Sequence, residues 1–160
     1  MSRSPRLAEI EPLAFILGTW HGTGIGEYPT IESFAYEEEL EFGNVGKPYV
    51  TFLQRTWLVR GDARLPSHME FGFWRPRPDG SIEVISAHPN GVAEIEVGTV
   101  EGSRVALSSH QLIASPSAKA VVRLERQFAV DADAMTYDAR MEAVGQPLGR
   151  HLRAQLHRAQ

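Results

Sequence analysis

The chain has 160 residues, 42% of them of hydrophobic type, which suits one domain spanning residues 1–160 with a sizeable core. The formal net charge is −4 and the pI about 5.9, and every cation other than Lys47 and Lys119 is a scattered arginine. That balance argues against a nucleic-acid partner, which would need a basic patch. There is no cysteine, so disulfides, thiolate nucleophiles and cysteine-ligated metal centres are excluded.

The opening MSRSPRLAEIEP lacks the apolar core of a secretory leader. No apolar run approaches the ~20 residues needed to span a bilayer. A soluble, cytoplasmic protein without a membrane partner is the expectation. The first apolar cluster, PLAFILGTW at 12–20, has Pro12 where a first helical position tolerates proline and Gly18 where a helix can end, and predicts one or two helical turns.

After Gly18 the period changes to two. Strands are predicted at 20–28, 34–42, 48–59, 67–75, 81–88, 92–99, 104–112, 118–130, 134–144 and 150–158, separated by turn signals such as GNVGKP, RPDG, HPNG and VEGS. No later segment holds a helical period over 11 residues. Ten antiparallel strands in so short a chain would leave exposed edges unless the sheet closes. An all-β, ten-stranded, up-and-down barrel with a short N-terminal helical element is the natural solution.

Alternation is clearest at 93–97, where Ala93, Ile95 and Val97 oppose Glu94 and Glu96, and at 122–128, where Val122, Leu124 and Phe128 oppose Arg123, Glu125 and Gln127. The expectation is apolar side in, polar side out; Arg126 interrupts the second apolar face. The glutamates of YEEELEF read as solvated surface.

In GTWHGTGIGEYPTI, residues 18–31, Gly22, Gly24 and Gly26 share one strand face with Trp20 and Tyr28. Either the bare face permits tight curvature and close packing, or it lets a flat ligand approach the backbone. The spacing is GxGxG, not the GxGxxG of a dinucleotide site. No nucleophile elbow, Walker loop or HExxH is present. The six histidines (His21, His68, His88, His110, His151 and His157) include no HxH pair, and a zinc site from distant histidines has no positive signal.

Several segments, in order, carry a resemblance: LGTWHGTGIGEYPTI, GKPYVTFLQRTW, SHMEFGFWRPRPDGSIEV, AHPNGVAEIEVG, SAKAVVRLERQF and YDARMEAVGQPLGRHLRAQLHR. Over roughly residues 12–158 the chain resembles the nitrobindins, a family of small haem-binding β-barrels also described as peroxynitrite isomerases. The resemblance implies a barrel distantly like the fatty-acid-binding proteins, with haem b in its pocket. It implies iron ligation by His151, of PLGRHL, and haem contacts from Thr30 and Lys119. His68, His88 and Met141 match pocket positions. Relatives often carry methionine before the residue matching His68, where Ser67 stands here.

Strict alternation sets His151 opposite Leu152, Ala154 and Leu156, so the strand bulges there or those leucines pack outside. The implied enzyme is a haem-dependent peroxynitrite isomerase. Ferric iron would turn peroxynitrite into nitrate, with no catalytic residue beyond the haem iron. Ferrous haem would bind nitric oxide. The alternatives are a nitric oxide sensor or carrier without catalysis, or a haem-free carrier of a small apolar ligand or lipid.

Overall fold

Ten strands form, one for each alternating run: β1 (Gly18–Tyr28), β2 (Ile31–Gly43), β3 (Val50–Arg60), β4 (Ala63–Pro76), β5 (Ser81–Ala87), β6 (Val92–Glu101), β7 (Arg104–Ala114), β8 (Val121–Asp131), β9 (Ala134–Ala143) and β10 (Gln146–Arg158). Each pairs antiparallel with the next, and β1 pairs with β10, so this computed structural model is a closed up-and-down barrel. The structure describes residues 8–160; residues 1–7 of the stretch read for a leader lie outside them. Among the described residues, no helix is long and apolar enough to cross a membrane.

The helical element is a 3₁₀ segment, Ala8–Ile16, starting four residues earlier than Pro12 suggested. Ile10, Leu13 and Ile16 are fully buried and close one end of the barrel. Trp20 Nε1 donates to the Ile16 carbonyl at 2.8 Å and the Arg158 guanidinium lies 4.1 Å over the Trp20 ring, tying the segment to β1 and β10. Beside it, Phe42, Phe52, Trp74 and Phe128 pack with ring centroids 5.1–5.7 Å apart. Rings that size bury 150 Å² or more each, so this apolar plug holds much of the folding energy and leaves the other end free.

The glycine stripe serves close packing. A Cβ on Gly24 would lie 2.3 Å from Tyr36 Cζ, one on Gly26 2.1 Å from Phe34 Cζ, and one on Gly22 1.9 Å from the Gln155 carbonyl oxygen. Two aromatic rings of β2 and the backbone of β10 occupy the space that side chains would need. The stripe also shapes a cavity, because Phe34 and Tyr36, laid over Gly26 and Gly24, form part of its wall.

Two inside–outside assignments reverse, and on a third strand one residue leaves its expected face. On β6, Glu94 and Glu96 are buried while Ala93 and Val97 are exposed. On β2, Glu38 points inward between Tyr36 and Leu40, although Glu37, Glu39 and Glu41 do face out toward Arg64 and Arg55. On β8, a register shift between Val121 and Arg123 leaves Val122 61% exposed, and the inward row is Leu124, Arg126 and Phe128. On β6 and β2 the physical reason is that the interior is polar in its middle layer, where Arg126 lies among carboxylates reaching in from strands across the barrel. Outside, Phe71, Phe73, Ile85 and Val97 leave apolar surface on β4–β6.

Candidate functional site

At the end opposite the plug, the barrel holds a cavity of about 360 Å³, within the range of small-molecule sites. Thr30, His68, His88, Lys119, Met141 and His151 all line it. Thr30 and Lys119 are exposed at its rim, in the β1–β2 turn and just before β8. Val92, Val121, Leu124, Ala139 and Leu152 make its walls largely apolar.

His151 reaches the cavity through a β-bulge. The β9–β10 register runs Arg150↔Arg140 and then Leu152↔Ala139, leaving His151 as the extra residue. Both His151 and Leu152 therefore face the cavity, and Ala154 and Leu156 continue the inward row as buried residues. That resolves the alternation in favour of the bulge.

Tyr28 closes the gap that the irregular ladder leaves. Its hydroxyl accepts from the Ala143 N–H at 2.8 Å and reaches the Ala143 carbonyl at 3.0 Å, and its ring meets His151 edge-on at 5.7 Å. His151 Nδ1 lies 3.3 Å from the Glu27 carbonyl oxygen, which can only accept, so the proton sits on Nδ1 and Nε2 carries the free lone pair. Burial lowers the His151 pKa, only partly opposed by that hydrogen bond, and keeps the ring neutral.

Across the cavity stand His68 and His88. Counting around the closed barrel, β4 and β5 lie four and five strands from β10, diametrically opposite. His68 Nε2 and His88 Nδ1 are 3.1 Å apart, and His88 Nε2 is 2.9 Å from Glu94 Oε1. Burial, reinforced by His88, lowers the His68 pKa to about 4, so this ring too is neutral near pH 7.

Beneath them lies the charged layer. Arg126 binds both oxygens of Glu70 at 2.7 and 2.9 Å, Glu94 at 2.5 Å, and faces Glu96 at 3.3 Å. Glu38 accepts from Gln54. Burial pushes Glu94 up, but Arg126 and His88 outweigh it and hold the carboxyl below its ordinary range. Burial pushes Glu38 to about 7 and Glu96 to about 8, where one shared guanidinium cannot compensate for it.

Sequence reasoning missed this layer. Its one signal was Arg126 on an otherwise apolar face, since a buried guanidinium requires buried carboxylate partners.

A family model described as "THAP4-like, heme-binding beta-barrel domain" matches residues 9–158. The chain belongs to this family. Peroxynitrite isomerase 1 of Mycolicibacterium paratuberculosis is 45% identical over 158 residues, covering 96% of this chain and 95% of its own. The peroxynitrite isomerase of Nocardia farcinica is 46% identical over 155 residues, covering 94% and 90%. The crystal structure of Rv2717c from M. tuberculosis matches with a TM-score of 0.89 at 40% identity, over 98% of this chain and all of that one.

The residues present fit the family's haem. A haem-binding barrel needs a neutral imidazole with a free nitrogen facing an apolar cavity, and its other nitrogen held by a second group. His151 has each of these: Nδ1 on the Glu27 carbonyl, and Nε2 without a hydrogen-bond partner among the described residues. Thr30 and Lys119 supply a hydroxyl and an ammonium at the solvent-facing rim, suited to carboxylates that remain in water.

Proposed function

We propose that the chain acts as one haem-binding domain in which His151 Nε2 ligates haem b, and that it isomerises peroxynitrite to nitrate. The observation that carries the site is the bulge at His151, which turns this one ring of a polar strand into the cavity with its ligand nitrogen bare. Relatives at 45–46% identity over nearly the whole chain are named peroxynitrite isomerases, which supports the reaction. Ferric haem, held there by His151, would supply a Lewis-acidic iron for the isomerisation of peroxynitrite to nitrate.

The chain's own residues do the rest. The Glu27 carbonyl fixes the tautomer and Tyr28 the ring plane of His151. Apolar walls from Val92, Val121 and Leu124 keep bulk water from the reacting anion. Lys119 and Thr30 would hold the haem propionates at the rim. No general base is required, because the isomerisation neither gains nor loses a proton. Ferrous haem held in the same way would bind nitric oxide. A cytoplasmic location is part of this reading.

A carrier of fatty acids is the weaker reading. Such a carrier needs a buried cation for the ligand carboxylate, and Arg126 already serves Glu70, Glu94 and Glu96.

Hemin titration of the purified chain should give a Soret band that saturates at one haem per chain. His151→Ala should weaken uptake and alter the band. Peroxynitrite decay to nitrate should scale with haem occupancy and slow under cyanide. Unchanged spectrum and affinity in His151→Ala would remove that residue from the role. Apo protein matching the holo rate would remove the isomerase reading.

A further inference from the structure

The cavity wall facing His151 holds a second set of ligand atoms. His68 Nε2, His88 Nδ1 and a Glu70 carboxylate oxygen all lie within 4.8 Å of one another. The His68–His88 separation is 3.1 Å and His88 Nδ1 lies 3.7 Å from Glu70 Oε2. Ligands about 2.1 Å from a metal ion in tetrahedral or octahedral array stand roughly 3.0–3.5 Å apart; the two histidines already stand at that spacing, and Glu70 needs only a small side-chain shift to join them.

We propose that His68, Glu70 and His88 form a non-haem site for a first-row divalent transition metal, separate from the His151 position. Two imidazoles and one carboxylate on one side, with the other side open to a cavity, are the donor set that holds Fe(II), Co(II) or Zn(II) and leaves positions for exogenous ligands.

The groups behind the three ligands support it. His88 Nε2–H donates to Glu94 Oε1 at 2.9 Å, the carboxylate–histidine arrangement that fixes the tautomer and leaves Nδ1 bare for a metal. Arg126 grips both Glu70 oxygens and orients that carboxylate toward His88.

Charge points the same way. Glu70 and Glu94 are two carboxylates sharing the single Arg126 guanidinium. A dication relieves that excess of carboxylates over cations.

Coordination balances simply. In the metal-free form His88 Nδ1 has no proton, so the 3.1 Å contact requires His68 Nε2–H to donate. On binding, that proton passes through solvent to His68 Nδ1, Nε2 donates its lone pair to the metal, and nothing is oxidised or reduced. The consequence for the cavity is a fixed positive charge opposite His151, available to an entering anion.

The site stands or falls independently of haem binding. The full chain, stripped with chelator, is titrated calorimetrically with Co(II) and with Zn(II), both hemin-free and hemin-loaded. Visible Co(II) ligand-field bands are recorded on the hemin-free form. The expected result is one Co(II) per chain in both forms, with bands of nitrogen–oxygen coordination that Zn(II) abolishes.

His68→Ala and His88→Ala should each weaken binding by more than tenfold, and Glu94→Gln by about 10–100-fold, with melting temperatures checked for each. His151→Ala should leave the Co(II) bands unchanged. His21 and His157 are cross-strand neighbours on β1 and β10 and are the natural adventitious site. Co(II) binding that survives His68→Ala and His88→Ala, or that is lost in the His21→Ala/His157→Ala double variant, overturns the proposal. So does the absence of any stoichiometric binding.

Discussion

Glu96→Gln should stabilise the barrel at alkaline pH and change little at acid pH. Glu96 is fully buried, its two carboxyl oxygens lack hydrogen bonds, and it must share Arg126 with Glu70 and Glu94. Burial, incompletely offset by Arg126, lifts its carboxyl from 4.5 to about 8. Between those values the folded chain holds a proton that the unfolded chain has released. A group raised on folding contributes in full below its unfolded pKa, and that contribution disappears as pH rises through the folded pKa. At about 1.4 kcal/mol per pH decade the ceiling is about 5 kcal/mol. Structural relaxation and interior water reduce such ceilings, so about 2 kcal/mol in favour of the variant is expected near pH 9, and close to zero near pH 5.

Urea unfolding followed by tryptophan fluorescence, for parent and variant at about pH 5, 7 and 9, measures the difference. Glu38, pushed by burial to about 7, gives the parent's profile the same sign. His68, lowered by burial to about 4, acts oppositely: its contribution is present above the ordinary histidine value and is lost as pH falls through 4. Both are present in both proteins and cancel in the comparison. A variant advantage that is already complete near pH 5, or that grows toward acid, refutes the assignment of Glu96 as a carboxyl protonated by burial.

Two further outcomes follow from local geometry. Gly24→Val would drive a branched side chain into the Tyr36 ring, 2.3 Å from the new Cβ. It should cost about 1–3 kcal/mol as overpacking and reduce haem uptake by displacing a cavity wall, which melting curves and hemin titration would show. Tyr28→Phe leaves the buried Ala143 N–H without its 2.8 Å acceptor, so thermal unfolding should register a loss of about 1–3 kcal/mol. The same variant frees the His151 ring, so its Soret band should broaden or shift even at full haem occupancy; an unchanged band would mean that Tyr28 does not orient the ligand.

The strand order and the barrel were legible because period-two patterning runs through much of the strands and turn residues mark most reversals. Which face points inward was not. At 93–97 the pattern separates Ala93, Ile95 and Val97 from Glu94 and Glu96, and apolarity alone chose the wrong set. Periodicity says which residues share a face; only the interior's chemistry says which face is inside, and here the interior includes Arg126. His151 shows the converse limit. The family resemblance implied a pocket residue, and His151 does line the cavity, whereas alternation placed it opposite Leu152, because a bulge at His151 shifts the register by one residue. Nothing in PLGRHL announces that bulge. His68 and His88 are twenty positions apart without a metal-spacing motif, and only the antiparallel pairing of β4 with β5, which sets Phe71 against Ala87, carries them to within 3.1 Å.

These reversals bear on what the charged layer does. Buried ion pairs are weak stabilisers once desolvation is counted, and the plug around Trp74 and Phe128 already supplies an extensive apolar core. What Arg126 does supply is connection. From β8 it reaches Glu70 on β4 and Glu94 on β6, and through Glu94 it reaches His88 beyond β5. That chain of charge-assisted contacts holds the wall of the cavity opposite His151. The β1–β10 side is held differently, by the Tyr28 hydroxyl and the Glu27 carbonyl. Breaking the Arg126 contacts should therefore disturb the His68–His88 side while leaving the proposed haem ligation at His151 intact. Disturbing Tyr28 should do the reverse.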